Sequence, residues 1–392
     1  MKIIHTGDWH IGKIVHEHSM IDEQEYILKQ FVKIVEEERP HVVIIAGDIY
    51  DRSVAPVEAV DLLDRVLGRI VLDIGIPVLV ISGNHDSPER ISFGSGIMRS
   101  KNLYIEGLFR KDINKVVLGD EYGAVNFYML PYADPAIVRY TYEDGSIRTH
   151  NQAMKAINER INSNMNKKER NIMITHGYIR GAEELRSSDS ERPLSIGGTD
   201  YADVDYFKDF NYTALGHLHS PQQAGNKNVC YSGSLLKYSF SEVDQKKSVT
   251  IINMDSKGDI ITEQRELKPR RDMRDLSGSM NQLLDPAVYK SLELDHFYRI
   301  TLTDKGEIID PMAKLKSVYP NVLQIMMKNR MRENNGAKTA AAEGYKGKSK
   351  LQLFLEFYKS INDVELGADD VEIMKKVIEE VEKRGDDFYE AN

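Results

Sequence analysis

Three stretches of this chain run apolar and mostly β-branched into residues that bury badly and bind cations well: KIIHTGD at 2–8, HVVIIAGD at 41–48 and IPVLVISGNHD at 76–86. The apolar parts of the second and third do not alternate with polar residues, so they read as strands buried on both faces, and the first reads likewise. Between them lie two helical patterns. Asp22 to Glu38 carries Tyr26, Ile27, Phe31, Ile34 and Val35 at helical spacing and is closed by Pro40, and Pro56 to Asp73 supplies the second. This order implies parallel pairing through right-handed crossovers, and open α/β sheets collect their ligands at the carboxyl ends of the strands.

Ligand-type side chains recur at those ends. Asp8 and His10 follow the first strand, Asp48 the second, and Asn84, His85 and Asp86 the third; His176 ends NIMITH, and His217 and His219 end YTALGHLH. The two-residue spacing within Asp8/His10 and His217/His219 predicts that an extended backbone turns each pair toward one face. Taken singly, a strand-terminal Asp or Asn is usually a turn former or helix cap, and a lone His a satisfied boundary residue. Repeated placement argues otherwise, because carboxylates and imidazoles crowded at one edge need cations between them. Imidazole, carboxylate and amide oxygen without thiolate favour manganese, iron or zinc, and disfavour an all-oxygen magnesium or calcium site. The number of ligands suits two ions sharing a carboxylate, and Asp48 is the choice for the bridge.

Length and composition set the frame. A chain of 392 residues, 41% hydrophobic and 29% charged, fits a soluble globular protein of two domains. No apolar run approaches the roughly 20 residues that span a bilayer, and the N-terminus has no signal-peptide pattern, so a cytoplasmic, non-membrane protein is expected. Cys230, the lone cysteine, excludes an intrachain disulfide and reads as a buried apolar thiol. The net charge of −9 weighs against a non-specific nucleic-acid coat protein, although a local basic surface or bound cations escape that test.

The expected architecture is α/β: a two-sheet layered core over residues 1–267, a smaller α+β domain over 268–331, a polar Ala/Gly/Lys-rich linker over 332–350, and amphipathic C-terminal helices within 351–392. EGYKGKS near residue 343 resembles the end of a phosphate-binding loop, but Ala342 replaces the first glycine and no strand precedes it.

GDWH, GDIYDR, GNHD, THG and GHLH, in this order and at these separations, resemble the five motifs of the calcineurin-like metallophosphoesterases. The resemblance covers residues 1 to about 240 and implies a two-sheet metallophosphoesterase core. It implies one metal held by Asp8, His10, Asp48 and His219, and a second held by Asp48, Asn84, His176 and His217, with Mn2+ the first choice of divalent ion. His85 would not be a ligand but would stabilise or protonate the departing alkoxide, and Asp86 would fix its tautomer and orientation. Together these two form the expected catalytic pair.

Length, the YSGSLLKYSF segment after GHLH and the region from PRRDMRDLSG onward are similar to the break-repair nuclease branch, the SbcCD-type DNA exonucleases and endonucleases. That implies a DNA substrate, a capping domain that guides DNA, and final helices that dock on an SbcC-type coiled-coil ATPase. It also implies a homodimer formed through Pro56 to Asp73 and Arg90 to Ser100, with Ile91, Phe93, Ile97 and Met98; burial against the sheet is the alternative. Arg270, Arg271 and Arg274, with Lys328, Arg330 and Arg332, are candidates for a local basic surface, against solvated charge as the default. A protein phosphatase or small phosphodiesterase competes, since GDIYDR matches the GDxxDR of serine/threonine phosphatases, where the arginine clamps phosphate. Those enzymes carry GNHE rather than GNHD, and the role of Arg52 stays open, as does that of Asp51. A non-enzymatic scaffold is disfavoured by the complete ligand set.

Overall fold

Every residue of strand Val42–Ala46 and of strand Val78–Ile81 is buried, as uninterrupted β-branched runs require when both faces of a sheet are covered. The computed structural model describes residues 1–194, 201–304, 308–328, 349–362, 365–367 and 369–378. Contacts divide the chain into Met1–Arg274 and Asp275–Asn392.

The first unit is built on two six-stranded sheets. In one, Lys2–Thr6, Val42–Ala46, Val78–Ile81 and Leu103–Glu106 run parallel, and Ser248–Met254 and Ile260–Glu266 add antiparallel strands beside Lys2–Thr6. In the other, Gly123–Leu130, Arg170–His176, Tyr212–Gly216 and Val229–Tyr231 run parallel, with Lys115–Asp120 and Gln222–Gln223 as antiparallel edges. Gly123–Leu130 is interior because Lys115–Asp120 covers its outer side.

Facing side chains close the sandwich: Ile44, Ala46, Leu79 and Ile81 from one sheet meet Phe127, Met129, Ile172 and Ile174 from the other. Cys230 is buried in that layer. Helix Ile21–Glu38 buries Ile27, Leu28, Phe31, Ile34 and Val35, and helix His150–Asn164 buries Ala153, Met154, Ile157 and Ile161 in a second apolar layer. The sandwich thus brings the carboxyl ends of both parallel sets, and their polar residues, within reach of one another.

The second unit has its own core, in which Tyr298, Ile300, Leu302, Leu315, Tyr319 and Val322 pack together. Its three-stranded sheet orders Met273–Gly278, Phe297–Leu302 and Val322–Met327, so the segment PRRDMRDLSG supplies a strand. Helix Lys350–Asn362 and a helical stretch at 369–378 follow. The expected linker 332–350, apart from its last two residues, lies outside the described residues, as do Arg330, Arg332 and residues 379–392 of the expected C-terminal helices.

Candidate metal centre

The strand ends deliver their polar residues through backbone that side chains seldom adopt. Asp8, His10 and Asp48 have φ of 53°, 46° and 50°, and His217 has 112°. Such conformations cost about 1–3 kcal/mol each and cluster at functional sites. Strand Lys2–Thr6 ends before Asp8, so the expected extended delivery of Asp8 and His10 is corrected: two left-handed residues aim them. The Asp8 N–H donates to the Gly47 carbonyl at 3.0 Å and the His10 N–H to the Asp48 carbonyl at 2.9 Å, which fixes both. His217 likewise lies beyond strand Tyr212–Gly216, and its N–H donates to Asp8 Oδ1 at 2.9 Å. Close approach demands missing side chains: a Cβ on Gly83 would overlap the Asp48 carboxylate, and one on Gly216 would run into the Ala46 carbonyl.

Asp48 stands between two groups of ligand atoms. Its Oδ2 lies 3.6 Å from His10 Nε2 and 3.5 Å from His176 Nε2. On one side the Nε2 atoms of His10 and His219 are 3.0 Å apart, and Asp8 joins them. On the other, Asn84 Oδ1 sits 2.9 Å from His176 Nε2 and 3.3 Å from His217 Nδ1. The structure therefore brings together Asp8, His10, Asp48, Asn84, His176, His217 and His219, and all but Asn84 are buried.

This donor set fits cations. Asp8 Oδ2 is buried without a hydrogen-bond partner, a costly state for a carboxylate oxygen unless a cation meets it. Burial and the neighbouring Asp48 charge drive the Asp8 carboxyl well up, against the pull of His176. Burial also opposes charge on Asp48, but His176, His10 and His85 hold it well below the usual carboxylate range. Burial works against a charged His176 too, yet Asp48 and Asp8 push it up to about 9. Burial, with His176 beside it, takes His217 down to about 3. Charge is thus concentrated on the Asp48–His176 pair.

His85 and Asp86 do not form the pair that was expected. Asp86 turns its carboxylate back onto three backbone N–H groups, those of Ile49, Tyr50 and Gly83, at 3.1, 2.9 and 2.9 Å. It ties the 47–50 turn to the 83–86 turn, and burial with the nearby Asp48 charge still raises it to about 6. The His85 ring is oriented instead by the Asp51 backbone carbonyl, 2.9 Å from Nδ1. Asp51 also takes Lys13 Nζ at 2.7 Å.

Sequence reasoning passed over the residues behind the ligands. Gln24 is buried in helix Ile21–Glu38 and donates to the His10 carbonyl at 2.7 Å while accepting from the Gly12 N–H at 2.9 Å. A glutamine on the apolar stripe with Ile27, Leu28 and Phe31 was the available signal.

Two comparisons with known proteins bear on this geometry. A family model described as calcineurin-like phosphoesterase matches residues 1–221. The chain belongs to the calcineurin-like phosphoesterases. A second model, described as type 5 capsule protein repressor C-terminal domain, matches residues 269–362. The SbcD chain of the SbcCD nuclease of Staphylococcus epidermidis is 37% identical over 325 residues, 83% of this chain and 85% of that protein. Within the calcineurin-like phosphoesterases the chain therefore groups with the SbcD type. Likeness to solved structures is weaker. A dimetal phosphatase from Danio rerio aligns at TM-score 0.39 and 12% identity, covering 68% of this chain and 96% of that one. GAP50, the anchor in the Plasmodium inner membrane complex, aligns at 0.36 and 14%, covering 68% and 89%.

Proposed function

We propose that this phosphoesterase is a metal-dependent DNA nuclease. It hydrolyses phosphodiester bonds as a double-strand exonuclease and as a hairpin and single-strand endonuclease, and it is the nuclease component of an SbcCD-type complex working in the cytoplasm in DNA repair and recombination. The observation that carries this reading is the convergence of both imidazole groups on the Asp48 carboxylate, in a chain with 37% identity to the nuclease component of an SbcCD complex.

Asp8, His10, Asp48 and His219 would hold one divalent ion and Asp48, Asn84, His176 and His217 the other, with Mn2+ our choice. Two bound cations supply a water-derived nucleophile and neutralise charge growing on the phosphoryl oxygens. The chain's own part is positional. Because the Asp51 carbonyl can only accept, the His85 proton it binds sits on Nδ1. Nε2 is thereby left to exchange a proton with the departing alkoxide. Asp86 acts one step behind, by tying together the turns that carry Asp48 and Asn84.

Residues 268–331 would guide DNA, and the helices within 351–392 would bind the coiled-coil root of an SbcC-type ATPase; the model match over 269–362 supports treating this part as the family's own C-terminal region. A second copy of the chain is the proposed partner for the apolar groove of about 560 Å³ between helix Val57–Gly68 and the segment Pro88–Lys101. On its rim Phe93 and Ile97 are 84% and 80% exposed, whereas Ile91 is buried.

Incubation with Mn2+, comparing labelled linear and hairpin duplex DNA with a phosphopeptide, tests the activity. DNA cleavage is expected, and phosphopeptide turnover without DNA cleavage would overturn the proposal.

A further inference from the structure

His219 is gripped from behind by a short strap of chain that carries no assigned role. Ser190 Oγ lies 2.7 Å from His219 Nδ1 and 2.6 Å from Glu242 Oε1. Glu191 holds the same histidine by its backbone, accepting the His219 N–H at 2.8 Å, while its other oxygen accepts the Ser188 N–H at 2.9 Å. Glu242 is wholly buried. Lys247 fixes it, with Nζ 2.6 Å from Glu242 Oε2 and 2.8 Å from the His219 carbonyl oxygen.

Counting protons gives the direction of this chain of contacts. An ionised carboxylate only accepts, and the Ser190 hydroxyl has one proton to give. Its strongest neighbouring acceptor is the Glu242 carboxylate. Ser190 Oγ must then accept from His219, which places the ring proton on Nδ1 and the lone pair on Nε2. That Nε2 is the atom facing His10 Nε2 at 3.0 Å. A direct bond from His219 Nδ1 to Glu242 Oε1 spans 3.5 Å, too long to do the same work. At His176 the corresponding partner is simpler: its Nδ1 lies 2.9 Å from the Ala46 carbonyl.

We propose that Ser190 is a positioning residue of the metal centre, linking His219 to the Glu242–Lys247 pair so that the ring presents Nε2 as a ligand. The inference rests on the metal-centre reading above and deepens it. Partners of this kind set ring orientation and basicity, and their loss lowers metal affinity by about 10- to 100-fold.

The test compares the full chain with Ser190→Ala and Ser190→Thr. Mn2+ affinity is read by calorimetry, the His219 tautomer by 15N shifts of histidine-labelled metal-free protein, and folding by thermal melting without metal. Ser190→Ala should bind Mn2+ about 10- to 100-fold more weakly, lose the fixed Nδ1–H signal and melt as the parent does; Ser190→Thr, which keeps the hydroxyl, should recover most of the affinity. Parent-like affinity and tautomer in Ser190→Ala overturn the role of Ser190 while the metal centre stands. Failure of the parent chain itself to bind Mn2+ overturns the metal centre and this inference together.

Discussion

The Nδ1 of His85 lies 2.9 Å from the backbone carbonyl of Asp51, so the ring is oriented by main chain rather than by a carboxylate. A carbonyl cannot be removed by mutation, and the orientation should survive changes to the Asp51 side chain. His85→Gln should therefore cut turnover by about 10²- to 10⁴-fold, the range of general acid catalysis, and leave bound Mn2+ near the parent level. Asp48→Asn should empty both groups of ligands, since one oxygen serves His10 and His176. Metal analysis beside single-turnover rates separates the two, and equal metal loss in both variants would end this division of roles.

Asp86 satisfies three backbone N–H groups. Asp86→Ala leaves them buried without partners, at about 1–3 kcal/mol each, and stability should fall by about 3 kcal/mol or more. Denaturant unfolding with chelator present measures this without metal linkage. A loss confined to turnover, with stability unchanged, would restore the expected role as orienter of His85.

His176 is pushed up to about 9 against its burial by Asp48 and Asp8, so in metal-free protein its ring holds a proton at neutral pH. A metal must displace that proton. Mn2+ affinity should rise by about tenfold per pH unit until pH 9 is neared, and calorimetry in buffers of different ionisation enthalpy should detect proton release. Without metal the sign reverses. A histidine raised from 6.5 to about 9 contributes its full stability below pH 6.5 and loses it as pH rises through 9.

Arg270 and Arg271 reach the same buried oxygen of Glu23, at 2.6 and 2.7 Å, and Arg274 lies 3.4 Å from Asp272. Arg270 and Arg271 thus clasp the helix Ile21–Glu38, and Arg274 pairs within its own segment. Replacing Arg270 and Arg271 together by alanine should cost about 3–5 kcal/mol, the penalty for stranding a buried charge, seen as a lower melting temperature. A parent-like melt with weakened DNA binding would return them to the nucleic-acid surface.

Phe93→Glu and Ile97→Glu place charge on the exposed rim of the apolar groove. Sedimentation should show the parent chain as a dimer and the double variant as a monomer with unchanged turnover of a small phosphodiester. A monomeric parent would remove the proposed self-contact.

Residue type and local periodicity were enough to place the strands Val42–Ala46 and Val78–Ile81, the helix Ile21–Glu38 and every polar residue that ends an apolar run, because burial and spacing are written along the chain itself. They also marked nine polar residues at the strand ends, from which the family resemblance singled out Asp8, His10, Asn84, His176, His217 and His219, the six that gather with Asp48. Partner choice was not legible. His10 meets His219 across 209 positions through the stacking of two sheets, and Glu23 meets Arg270 across 247 through the order of strands within one sheet; no local pattern encodes either. Proximity in sequence misled where it was trusted: Asp86 follows His85 directly, yet its carboxylate found three unsatisfied N–H groups closer to hand. Only the tertiary structure decided that, because buried backbone donors must be satisfied before a carboxylate is free to serve a neighbouring ring.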